Sequence, residues 1–170
     1  MTDEDFRTPA WLYRALDREF SFALDAACTL DNCLASHGLS LEDGHDALRI
    51  DWDAWLVGCG RDRGVVWCNP PFSAIPDWVA KVREEARRLI VVTLLPADTS
   101  TRWWSQVHHH ATQVRLLEGR LTFGPKARGS HPSAFAIVIW SPAGGPSSYI
   151  RWSPRREDRR QCRLIEEQRR

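Results

Sequence analysis

Three short apolar runs, each stopped abruptly by a polar residue or a proline, set the tightest limit on what this chain can fold into. Phe22-Ala23-Leu24 ends at Asp25, and Val65-Val66-Trp67-Cys68 runs directly into Asn69-Pro70-Pro71-Phe72. Leu89 to Leu95, broken only by Thr93, is stopped by Pro96. Runs this short and this apolar suit strands buried on both faces, as in sheets covered by helices. Helical spacing fills the intervals. Thr8-Pro9 followed by Trp11, Leu12, Ala15, Leu16 and Phe20 predicts a helix with Thr8 as N-cap and Pro9 in its first turn. Trp78, Val79, Val82 and Ala86 share one face of a helix predicted over 76–88, and a further helical stretch runs through Trp103, Trp104 and Val107. Val114 to Leu117 and Leu121 to Phe123 read as one strand split at Gly119, and Ala134 to Trp140 reads as the last strand. Residues 28–50 are mixed and polar and stay unassigned, and 58–64 is rich in turn formers. The alternation predicts an α/β fold, a sheet with helices on both faces. In such sheets ligands sit beyond the carboxyl ends of the strands, the positions of Asp25, Asn69 and Pro96.

A chain of 170 residues fits one domain, expected over 1–150, followed by an arginine-rich tail over 151–170. The net charge of +1 gives no global basic field. Contact with nucleic acid would therefore need a local basic surface. Arg120, Lys126 and Arg128, in and beside a Gly/Pro-rich loop, are candidates for phosphate contacts, with ordinary surface charge as the alternative. The apolar run ending at Leu95 is far too short to span a bilayer, and the acidic, polar start does not resemble a secretory signal. Five cysteines without a C-x-x-C pair point to a reducing cytoplasm rather than a disulfide framework. His108-His109-His110 lacks a second ligand cluster at zinc spacing, so no metal is expected. Trp103 and Trp104 are either core residues or a surface for stacked bases.

Asn69-Pro70-Pro71-Phe72 is the sharpest chemical signal. Two prolines in series continue neither a helix nor a paired strand, and they remove two backbone donors. Asn69 offers a side-chain amide oxygen, Pro70 a carbonyl, and Phe72 a flat apolar face. The alternative is a structural turn after a strand.

The chain resembles the small phage- and prophage-type (Dam-like) DNA N-6-adenine methyltransferases over roughly residues 7–140. The resemblance lies in the order of its pieces: Arg7-Thr8-Pro9-Ala10-Trp11-Leu12, Phe22 to Cys28, Asp46-Ala47-Leu48, Asp51-Trp52, Val66 to Phe72, Leu94 to Thr99, and Gly119 to Phe123. It implies a Rossmann-like methyltransferase sheet, the cofactor S-adenosylmethionine and double-stranded DNA as partner. It implies that Asn69, Pro70, Pro71 and Phe72 are catalytic. It places Thr8 and Pro9 near the methionine part of the cofactor, Asp25, Ala26 and Ala27 at its first binding turn, and Asp46, with Asp51 as the alternative, near its adenine. It also implies a phage- or prophage-encoded protein acting in the cytoplasm of a bacterial host. The chemistry fits the motif. The lone pair of an adenine amine is delocalised into the ring, and two acceptors, one per N–H, favour a tetrahedral nitrogen able to attack a methyl group. The base must leave the duplex, and an aromatic face can hold it. One departure stands out: the turn Asp25-Ala26-Ala27-Cys28-Thr29 has no glycine, where many methyltransferases carry several. RNA adenine or a protein glutamine as acceptor, and a catalytically silent DNA-binding module, remain open alternatives.

Overall fold

The computed structural model describes residues 6–62, 64–123, 130–145 and 147–153. Strands β1 (Phe22–Asp25), β2 (His37–Gly38), β3 (Val65–Cys68), β4 (Ile90–Pro96), β5 (Gln113–Leu117), β6 (Phe135–Trp140) and β7 (Ser148–Trp152) form one sheet. Its order is β2-β1-β3-β4-β6-β5-β7. β6 runs antiparallel to both β4 and β5, and every other pair is parallel. Helices α1 (Ala10–Phe20), α2 (Trp52–Gly58), α3 (Ile75–Glu85) and α4 (Arg102–His110) cover the two faces.

Successive strand residues point to opposite faces, which divides the core in two. On one side, Leu12, Tyr13 and Leu16 of α1 pack on Trp67, Val92, Leu94, Phe135, Ile137 and Ile139. On the other, α2, α3 and α4 bring Trp52, Leu56, Trp78, Val79, Val82, Trp104 and Val107 onto Leu24, Val66, Val91, Val138 and Trp140. The expected α/β sheet with helices on both faces is the observed fold. Trp104 is 4% exposed and belongs to this core, with Trp103 packed against it, so Trp104 offers no surface to stacked bases. Two buried tryptophans are hydrogen-bonded through their indoles. The Trp140 indole donates to Thr93 Oγ1 at 3.1 Å, and that of Trp52 donates to the Ala47 carbonyl at 2.8 Å.

Several expectations are corrected. Thr8 does not cap α1; Pro9 is the N-cap, and its carbonyl accepts from the amides of Leu12 and Tyr13. Leu121 to Phe123 is not a strand. Gly119 adopts φ +80°, a left-handed turn that takes the chain off the sheet after β5, and Leu121 and Phe123 are buried as core side chains on the α1 side. Trp140 does not end the last strand, because β7 pairs in parallel with β5 at the sheet edge. The boundary expected at 150 falls inside β7, and residues 154–170 of the tail lie outside the described residues. Helix α2 was not expected. The Asp51 carboxylate caps it by accepting from the Ala54 amide at 3.0 Å.

Candidate active site

The chain order reverses between β1 and β3: from β1 it continues outward to β2, whereas β3 lies on the other side of β1. The ends of neighbouring parallel strands diverge at such a switch point and leave a crevice. A cavity of about 590 Å³ opens there, within the range that holds small-molecule ligands, about 300–1,000 Å³. The ends of β1 and β3 are tied by a bond from the Ala26 amide to the Trp67 carbonyl at 2.9 Å. This places Asp25, Ala26 and Ala27 beside Asn69, Pro70, Pro71 and Phe72 on one wall. Residues between Cys28 and Leu48, including Asp46, and the Phe6-Arg7-Thr8 segment complete the lining. Arg7 forms an ion pair with Asp31.

Asn69 is fixed by a long-range bond. Its Nδ2 donates to the Phe6 carbonyl at 2.9 Å, which determines the orientation of the amide. Its Oδ1 is buried and has no hydrogen-bond partner. A buried acceptor left unpaired costs about 1–3 kcal/mol, and this one belongs to a residue that lines the cavity. Pro70 is buried beside it, and the Pro71 carbonyl accepts from the Ala74 amide at 3.1 Å to start a short turn over Phe72–Ala74. Phe72 stands at the junction of both cores. Its ring centroid lies 4.6 Å from Phe6 and 5.6 Å from Phe135, with Phe123 and His131 edge-on.

Asp25 is 3% exposed, and its carboxylate accepts from the Ala27 amide at 3.3 Å and the Leu34 amide at 3.1 Å. Burial outweighs these two bonds and pushes its pKa from the ordinary 3.8 up to about 7. The folded value lies above the unfolded one. The stability that Asp25 contributes is therefore fully present below about pH 4 and is lost as pH rises through about 7. Denaturant melts of the ligand-free protein should show this decline, and Asp25→Asn should flatten it. An unchanged pH profile in the variant would assign the decline to other groups.

The remaining residues divide clearly. Thr8 and Asp46 line the cavity; Asp46 accepts from the Leu48 amide at 3.0 Å and pairs with Arg49 at 3.2 Å. Pro9 is not among the lining residues, because its carbonyl is turned into the first turn of α1. Asp51 lies away from the cavity, capping α2 and pairing with Arg88 at 2.7 Å. Arg120 is exposed and outside the lining, and Lys126 and Arg128 lie outside the described residues. Sequence reasoning missed Phe6, which holds Asn69 through a backbone carbonyl that no side-chain pattern reveals. It also missed Cys28 and Cys33, which line the same cavity.

The sheet order, the single antiparallel strand and the crevice at the ends of β1 and β3 define a Rossmann-like methyltransferase fold. The modification subunit of a putative type I restriction enzyme from Vibrio vulnificus YJ016 shares it. That crystal structure matches 96% of this chain and 53% of its own with a TM-score of 0.54, at 14% identity. The chain belongs to the DNA N-6-adenine-methyltransferase (Dam) family, whose model matches residues 2–163. It is 30% identical over 102 residues to the DNA N-6-adenine-methyltransferase of Escherichia phage T1, covering 59% of this chain and 39% of that protein. It is 26% identical over 130 residues to the protein of the same description from Haemophilus phage HP1 (strain HP1c1), covering 72% and 68%. The chain thus spans well under half of the first relative and about two thirds of the second.

Proposed function

We propose that the protein transfers a methyl group from S-adenosylmethionine to N6 of adenine in double-stranded DNA. The observation that carries this reading is the buried, unpartnered Oδ1 of Asn69, a residue that lines the cavity. The cavity also suits the cofactor. Asp25 is a buried carboxylate that a cationic ligand would hold ionised, and the small side chains of Ala26 and Ala27 let a ligand approach the backbone. Thr8, Asp25, Ala26, Ala27 and Asp46 would hold the cofactor, which supplies a methyl group on a positively charged sulfur.

This chain's own residues prepare the amine. Asn69 Oδ1 accepts one N–H of the adenine and the Pro70 carbonyl the other, so the nitrogen lone pair is drawn out of the ring and toward the methyl group. The nitrogen leaves the transfer carrying a proton it then loses to water, and no strong base is required. A base stacked on Phe72 takes the place of the Phe6 ring, which lies over Phe72 in the structure. Arg120, Lys126 and Arg128 contact DNA phosphates in this reading, and the catalytic unit includes β7 (Ser148–Trp152), with the arginine-rich tail after it. The phage origin of the relatives supports action in the cytoplasm of a phage-infected or lysogenic bacterial host. No helix among the described residues is long and apolar enough to cross a membrane.

The test is transfer of labelled methyl groups from S-adenosylmethionine, in the presence of a chelator, to duplex DNA, duplex RNA and a glutamine-containing peptide. Label is expected on N6 of adenine in DNA. Preferential labelling of RNA or peptide would replace the substrate. Cofactor binding without transfer to any acceptor would point to a silent DNA-binding module.

A further inference from the structure

Among the described residues, one group of side chains has the composition of a metal site: Asp25, Cys28 and Cys33, whose ligand atoms all lie within 4.8 Å of one another. The fold builds this grouping. Asp25 ends β1 and pairs in register with Gly38 of β2. The two sulfurs occupy the space beside Gly38, and a Cβ added there would collide with both. Their present partners are weak. Cys28 Sγ lies 3.7 Å from the Leu39 carbonyl, and Cys33 Sγ lies 3.8 Å from that of Ala35. Asp25 is buried, Cys28 half-buried and Cys33 exposed, and all three line the cavity.

We propose that Asp25, Cys28 and Cys33 bind one soft divalent cation, zinc fitting best. Two thiolates exclude magnesium and calcium, which take oxygen ligands, and thiolates with a carboxylate suit zinc. Zinc–sulfur bonds of about 2.3 Å in tetrahedral geometry set the two sulfurs about 3.8 Å apart. That separation lies inside the span the side chains already occupy. Each thiol gives its proton to solvent as its sulfur–zinc bond forms, and the fourth position is left to water. Cys28-x4-Cys33 falls within the usual spacing of a zinc ligand pair, but the third ligand is an upstream carboxylate rather than a second Cys/His pair, so the sequence alone does not reveal the site. Because Asp25 is also assigned to the methyl donor, zinc and donor exclude one another; this part rests on the proposed function.

The full chain, stripped with a chelator, is titrated with zinc chloride against a chromophoric zinc indicator, and separately with cobalt(II). The expected result is one equivalent of zinc and a thiolate-to-cobalt charge-transfer band in the near ultraviolet. Both should be lost in the Cys28→Ser/Cys33→Ser double variant and kept in Cys59→Ser. Should the double variant melt abnormally, Cys33→Ser alone, at the exposed position, is expected to weaken the band. Absence of stoichiometric zinc in the wild type, or its retention in a normally folded double variant, would overturn the site. Zinc affinity is then measured with and without S-adenosylmethionine. Unchanged zinc affinity under a donor that calorimetry shows to be bound would overturn the exclusion alone. Failure of the donor to bind at all would count against the proposed function and leave the zinc result standing.

Discussion

Asn69→Ala is expected to lower turnover by about 10²-fold or more, the usual cost of removing one donor or acceptor aimed at a transition state. Methyl-donor affinity should change little. The basis is the asymmetry of the amide: Nδ2 is held by the Phe6 carbonyl, while Oδ1 is buried and unpaired. An acceptor kept dry and unsatisfied in the ligand-free protein gains its partner only when the amine arrives. Asn69→Asp separates the two halves of this arrangement. It keeps an acceptor in the Oδ1 position but sets a second oxygen against the Phe6 carbonyl, so it should retain more turnover than alanine while loosening the Phe6–Thr8 segment. Single-turnover rates at saturating donor and DNA, with donor binding by calorimetry, check both variants. Near-normal turnover in Asn69→Ala would make the motif structural.

The largest effect on stability is expected far from the site, at Glu85. Its side chain is 2% exposed and bonds to Lys81 Nζ at 2.6 Å, and it accepts from the Trp52 amide at 3.2 Å. Lys81, itself 10% exposed, lies 5.7 Å above the Trp52 ring. Glu85→Ala leaves a largely buried ammonium without its counter-charge and a buried amide without its acceptor, and should cost about 3–5 kcal/mol. Replacing both members, Lys81→Met with Glu85→Met, removes the uncompensated charge and should cost clearly less. Urea melts of the single and double variants measure the difference. A double variant as unstable as Glu85→Ala would show that the ion pair is not the source of the loss.

The parts of the fold legible in the sequence are those that depend on continuous apolar burial. β1, β3, β4 and β6 are buried along nearly their whole length, so their residues read as unbroken runs. α1 and α3 carry clear one-sided spacing. What escaped depends on distant partners. β2 is two residues long and exists because it pairs with β1. β7 alternates weakly and is mostly exposed. α2 spans seven residues, too few for a periodic pattern, and its cap Asp51 stands in the sequence as an alternative to Asp46 because an acidic residue before a tryptophan fits either role. The Asn69–Phe72 motif was legible because the chemistry it suggests is local. The bond between Asn69 and Phe6, the place of Thr8 in the cavity lining and the cysteine pair beside Gly38 were not, because each joins segments that only the folded sheet brings together.

The placement of β6 between β4 and β5 has a consequence for how the protein is made. On a ribosome, β1 to β4 can assemble as a parallel unit with the cavity at its strand ends. β5 emerges next but has no neighbour in that unit, since its place in the sheet exists only once β6 has paired with β4. About two dozen residues separate the ends of these strands at Leu117 and Trp140, roughly one to five seconds of synthesis at about 5–20 residues per second. Through that interval Val114 and Leu116 stand on an unpaired strand edge, and β4 is an open edge as well. The vulnerable moment of this protein is thus a late one, when the reactive half can already be in place and its closing strand is still being added.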